Sequence, residues 1–181
     1  RNHVDLHAAD RRFGRQRTGL VADLVHQAVV EVEAGLVAAE ADVLDANLIK
    51  ANLSNATMIR IDLSGTGLIG CNLEGANLEG ATLTRASLPW GNLTRANLAK
   101  AKLQLTDLRE AKLIQANLQG ASLQDTSLTG TNLQKANLQG ATHISSDLLA
   151  KAKTLYQTRL DPDLKENLLK SHPHLFENPL T

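Results

Sequence analysis

Residues 71–100 read CNLEG ANLEG ATLTR ASLPW GNLTR ANLAK, six blocks of five with Leu at the centre of every block. Outward from this stretch the period continues without insertion. From Ala41 to Gly140 there are twenty consecutive blocks. The centre is Leu in eighteen of them, Val43 and Met58 being the exceptions. The position two before it is Ala in thirteen; elsewhere it is Ile61, Thr66, Cys71, Gly91, Thr106, Thr126 or Thr131. Asn or Asp precedes the central residue in twelve blocks, and Gly ends seven. A helix repeats a face every 3.6 residues and a strand every two, so a period of five fits neither. The pattern predicts a short extended piece, a bend, and another extended piece. Each unit points one Leu and one small residue inward, and Gly at the bend supplies positive φ.

Composition agrees. Of 181 residues, 43% are apolar, yet Phe13, Trp90, Tyr156 and Phe176 are the only aromatics. The core must therefore be Leu and Ala rather than the rings that dominate most interiors. Lys+Arg and Asp+Glu balance at 19 each, which argues against a basic nucleic-acid binder and against an acidic polyanion mimic. The single Cys71 excludes an intrachain disulfide and a multi-thiolate metal site, and it reads as a small buried hydrophobe. No apolar run is long enough to span a membrane. The first residue is Arg1 rather than Met, compatible with a processed or truncated chain.

The block pattern resembles the A(N/D)LXX signature of the pentapeptide-repeat family, over residues 41–140 with ragged continuation to Ser145. The resemblance implies an all-β solenoid, a right-handed quadrilateral β-helix in which four blocks make one square coil. Five coils would stack about 4.8 Å apart. It also implies that the central Leu and the small residue face inward and the other three positions outward.

The flanks differ in kind. Residues 1–18 form a basic arm with Arg11, Arg12, Arg15 and Arg17, a candidate contact for an acidic partner. Residues 19–40 carry Val21, Leu24, Ala28, Val32 and Leu36 at helical spacing, a helix expected to cover the first coil. The repeat domain is taken as 41–145 and a C-terminal helical cap and tail as 146–181. There, Ser145-Ser146-Asp147 predicts a helix through about Tyr156. Asp161-Pro162-Asp163 opens a second that stops before His172-Pro173. The tail is similar to those of cyanobacterial members of the family. That resemblance points to a photosynthetic or regulatory assembly and leaves cytoplasm and thylakoid lumen or periplasm both open.

If coils are twenty residues long, each side can be read as a column. The second side carries Ile49, Ile69, Pro89, Arg109 and Thr129, with Trp90 beside Pro89. Outward Ile49, Ile69, Pro89 and Trp90 with Arg109 as charged rim form a candidate protein-binding strip. Pro89 is expected to make its block depart from its neighbours. Asn52, Asn72, Asn92 and Asn132 share the third side; Asn77, Asn97, Asn117 and Asn137 share the fourth, where stacked amides can bond from coil to coil. Gly65, Gly70, Gly75 and Gly80 take every corner of the second coil, which suggests a different turn there.

Catalytic signatures are missing from the sequence: no nucleophile elbow, phosphate loop or dinucleotide fingerprint occurs. His3 with His7, and His172 with His174, lack a third metal ligand. No metal, no cofactor and no enzymatic activity are expected. The leading reading is a non-catalytic interaction scaffold, monomeric or part of a larger complex, binding another protein rather than nucleic acid. The alternative, again from the family, is a DNA mimic that binds a type II topoisomerase. Nine Lys+Arg against eight Asp+Glu over 41–140 give +1, the wrong sign for that role.

Overall fold

The structure is a computed structural model, and it describes residues 48–179. The basic arm, the helix expected at 19–40 and the first blocks to residue 47 lie outside the described residues.

Within them every central residue from Leu48 to Leu138 is buried, Leu48 and Leu138 both at 2% exposure and Met58 at 6%. The small residues two before are buried with them; Ala51 is partly so. Parallel pairing joins residues twenty apart, as in Asn52 with Asn72, Asp62 with Thr82 and Ser87 with Asp107. One turn of the solenoid is therefore four blocks. Residues 61–80, 81–100, 101–120 and 121–140 are complete turns.

Three backbone N–H groups are used in the same way in the described blocks, those of Asp125 and Leu128 apart. The central Leu and the last residue of the block donate to carbonyls of the next turn, as in Leu73 N–H to Asn92 at 2.7 Å and Gly75 N–H to Thr94 at 2.9 Å. The residue before Leu donates to the previous turn, as in Asn72 N–H to Ala51 at 2.9 Å. The corner closes with a bond from the next block's first N–H back to the Leu carbonyl, as in Ala76 to Leu73 at 3.0 Å. The residue ending each block has positive φ, as the third position of a type II turn requires.

The second turn does not differ in this respect. Gly65, Gly70, Gly75 and Gly80 have φ between 64° and 69°, and Lys50, Arg85 and Lys100 hold 57–61° at the same position. The corner geometry is dictated by the ladder, and glycine merely fits it more easily.

At the C-terminal end the expected helix to Tyr156 is replaced by something shorter. Helix α1 spans Ser146–Leu149, capped by Ser145 Oγ accepting from Leu148 N–H at 3.2 Å. The chain then rejoins the solenoid: Thr154 pairs with Asn132 and Arg159 with Asn137, a step of twenty-two instead of twenty. Leu155 and Leu160 take the inward positions, buried at 0% and 5%. Thr158 Oγ1 donates to the Leu133 carbonyl at 2.7 Å, as Thr126 does to Leu103. Two residues have been added and the block rule resumes; Leu148, Leu149 and Leu155 stand at helical spacing, although only the first two lie in α1.

Helix α2, Pro162–Ser171, begins and ends where expected, and a 3-10 helix follows at Pro173–Phe176. Their Leu168 and Leu175 join the same buried cluster as the coil leucines. The Leu175 carbonyl accepts from Leu155 N–H at 2.7 Å and from Thr154 Oγ1 at 3.3 Å, standing where the next turn's carbonyl would be.

Candidate interaction surface

Hydrogen bonds between adjacent turns fix the strip on the second side. Lys50 N–H donates to Ile69, Gly70 N–H to Pro89, and Trp90 N–H to Arg109, each at 2.8–2.9 Å. Ile49, Ile69, Pro89 and Arg109 therefore succeed one another along the axis. Their exposure is uneven. Ile49 is 46% exposed and Trp90 65%, Ile69 is half-buried, and Pro89 is buried. The apolar surface at that layer is Trp90 itself.

Nor does Pro89 disturb its block. Leu88 N–H still bonds Asp107 at 2.8 Å, and Gly91 N–H still closes the turn on Leu88 at 3.1 Å. The reason lies in the one N–H the ladder does not use, that of the residue after Leu. In most blocks a side chain takes it: Asn72 Oδ1 accepts from Glu74 N–H at 3.2 Å, and Asp62 Oδ1 from Ser64 N–H at 2.9 Å. Proline at this position gives up only that bond, and its fixed φ suits the second residue of the turn. The same bond explains the preference for Asn or Asp before Leu, a role that periodicity alone does not reveal.

Arg109 is exposed, but it is engaged within its own block. Its Nε and Nη2 donate to the Asp107 carboxylate at 2.9 and 2.7 Å. This bond holds the Asp107 carboxyl below its ordinary value and the Arg109 guanidinium above its own. The rim of the strip is thus a neutral pair. Arg11, Arg12, Arg15 and Arg17 lie outside the described residues.

Elsewhere, Cys71 is 1% exposed, and desolvation pushes its thiol up to about 12, which leaves it protonated and unreactive at neutral pH. An open depression of about 470 Å³ lies beside α1, with Asp125, His143, Asp147 and Lys151 in its wall. No group of three His, Cys, Asp or Glu able to hold a metal occurs among the described residues. A strict twenty-residue reading gives Lys153 the central, inward position of its block, whereas the structure leaves it exposed on the same side as Lys112.

The family model described as pentapeptide repeats matches eight copies, over residues 37–65, 61–98, 91–130 and 106–142. The chain belongs to the pentapeptide-repeat family. This pentapeptide-repeat protein is similar to several solved structures. One is a pentapeptide repeat protein of the Arabidopsis thaliana thylakoid lumen, 25% identical, covering 68% of this chain and 74% of that one with a TM-score of 0.34. Another comes from Nostoc PCC 7120, 28% identical, covering 75% and 94% with a TM-score of 0.31. A third is a plasmid-mediated fluoroquinolone resistance protein, 13% identical, covering 75% and 88% with a TM-score of 0.39. No curated protein matches the chain. No catalytic family is identified, and among the described residues no helix is long and apolar enough to cross a membrane.

Proposed function

We propose that this pentapeptide-repeat protein is a non-catalytic scaffold: a right-handed rod of five coils, closed by helices at both ends, that presents a flat side to another protein. Membership of a family of structural and interaction proteins supports the general reading. The observation that carries the finer one is Trp90, 65% exposed on a rod whose core is Leu and Ala. An indole left largely in water at a corner held at φ 56° contributes little to folding. Exposed Trp flanked by aliphatic side chains is the usual anchor of a protein interface. Exposed Ile49 and half-buried Ile69 continue the strip, buried Pro89 backs it, Arg109 borders it, and the arm bearing Arg11, Arg12, Arg15 and Arg17 is a second contact in this reading. The near-neutral repeat ladder weighs against mimicry of DNA.

Trp90→Ala is expected to leave the thermal midpoint nearly unchanged and to weaken the native association by about 2 kcal/mol or more. Thermal melts together with affinity capture from native extract check this. A large fall in the midpoint with binding intact would make Trp90 a corner brace and remove the strip as the docking surface.

A further inference from the structure

The chain is neutral overall, but its C-terminal half is not neutral side by side. The third and fourth sides there are residues 111–120, 131–140 and 153–162. They carry Lys112, Lys135, Lys153 and Arg159 against Asp161, four cations minus one acid, +3. The first and second sides at the same height are residues 101–110, 121–130 and 141–152. They carry Lys102, Arg109 and Lys151 against Asp107, Glu110, Asp125 and Asp147, three minus four, −1.

The four cations are neighbours in space. Lys112 pairs with Asn132 in the next turn, and Asn132 with Thr154, which adjoins Lys153. Lys135 N–H bonds the Tyr156 carbonyl at 2.8 Å, and Arg159 pairs with Asn137. They therefore span three successive layers, about 10 Å of axis, across one corner. All four are exposed. None is in an ion pair among the described residues, although Arg95, Arg109 and Lys170 are, with Glu74, Asp107 and Glu166. The acid on these sides, Asp161, is occupied: its carboxylate accepts the Gly140 N–H at 3.1 and 3.2 Å. Glu110 borders the patch, with its carboxylate against the Cα of Gly130 rather than on a lysine. Unneutralised cations on a rigid grid repel one another and raise the local positive potential. Exposed Gln119 and Gln139 add amide donors beside them.

We propose that this face is a docking surface for an acidic segment of another protein, distinct from the strip at Trp90. Carboxylates spaced along such a segment would meet Lys112, Lys135, Lys153 and Arg159. Nucleic acid fits less well. Four cations can neutralise at most about four phosphates, so the electrostatic term for a duplex is small. The one ring on these sides, Tyr156, is half-buried, so there is no stacking platform.

The test is fluorescence anisotropy of a labelled oligoglutamate peptide with the full chain, with labelled duplex DNA as the second probe. Oligoglutamate is expected to bind at low salt and to weaken as salt rises. Lys112→Glu with Lys135→Glu should lower its affinity about tenfold or more. The equal charge change in Arg85→Glu with Lys102→Glu, on and beside the first side, should leave it nearly unchanged. Lys153→Gln with Arg159→Gln gives a second, milder reading should the first pair disturb the fold. Absence of binding, equal losses in the Lys112/Lys135 and Arg85/Lys102 variants, or tighter binding to duplex DNA would each overturn the proposal.

Discussion

At the scale of single residues the corner is where sequence and backbone are in tension. Every block-final residue from Lys50 to Gly140 has positive φ, and many are not glycine. An L residue held there costs roughly 1–2 kcal/mol. The fold tolerates it because all of these N–H groups but that of Asp125 are hydrogen-bonded, nearly all to the next turn, and the corner is closed by a further bond. Leu105 is the clearest case of strain without return: φ 59° and 48% exposed. Leu105→Gly is therefore expected to stabilise the protein by about 0.5–1 kcal/mol, the relief of strain less the glycine's extra chain entropy. Gly80→Ala should act the other way by about 1 kcal/mol. Its φ is +66°, and the new Cβ would lie 3.2 Å from Arg60 Cγ. Urea midpoints of the two variants should move in opposite directions. A lower midpoint for Leu105→Gly would mean that the leucine's partial burial outweighs its backbone strain.

At the scale of the column, the asparagines do two jobs at once. Asn97 Oδ1 accepts from Ala99 N–H and from Asn117 Nδ2, at 3.2 and 3.1 Å, while its own Nδ2 donates to Asn77 at 3.1 Å. Asn132 follows Lys112 in its column and makes only the local bond, to Gln134 N–H at 3.0 Å. Asn97→Ala should therefore cost about 2–3 kcal/mol and Asn132→Ala about 1 kcal/mol. Denaturant unfolding of the pair checks this; equal losses would mean that the turn bond, not the ladder, is what matters. The columns were legible in the sequence because a period of five taken four at a time puts them in register. The turn bond was not, since it depends on which N–H the ladder leaves over, and so Pro89 looked like a defect. The two-residue step after Ser145 was hidden as well: Lys153 stands where the repeat calls for a small residue, and three leucines nearby imitate a helix. A strict count also gives Lys153 an inward position, and so conceals it as a surface cation beside Lys112, Lys135 and Arg159.

At the scale of the whole molecule, a solenoid is held together mainly by contacts between adjacent layers, so damage at one end should stay there. The C-terminal end allows a direct trial. Ending the chain after Leu160 removes Leu168 and Leu175, both buried, from the cluster that holds Leu149, Leu155 and Leu160. It also removes the Leu175 carbonyl and leaves Leu155 N–H and the Thr154 hydroxyl without their partner. The Asp161 carboxylate that accepts from Gly140 N–H goes with it. The last, partial turn then has an open apolar layer and an unpaired edge, and should open locally at a free energy well below that of the rod. Hydrogen exchange should show lost protection at Thr158 and Arg159, whose N–H groups bond Leu155 and Ala136, while Leu78 and Leu98 exchange as in the full chain. The freed edge should also promote end-to-end association, visible by light scattering. Uniform loss of protection through every turn would show that the rod unfolds as a single unit, with α2 and the 3-10 helix stabilising all of it rather than its final layer.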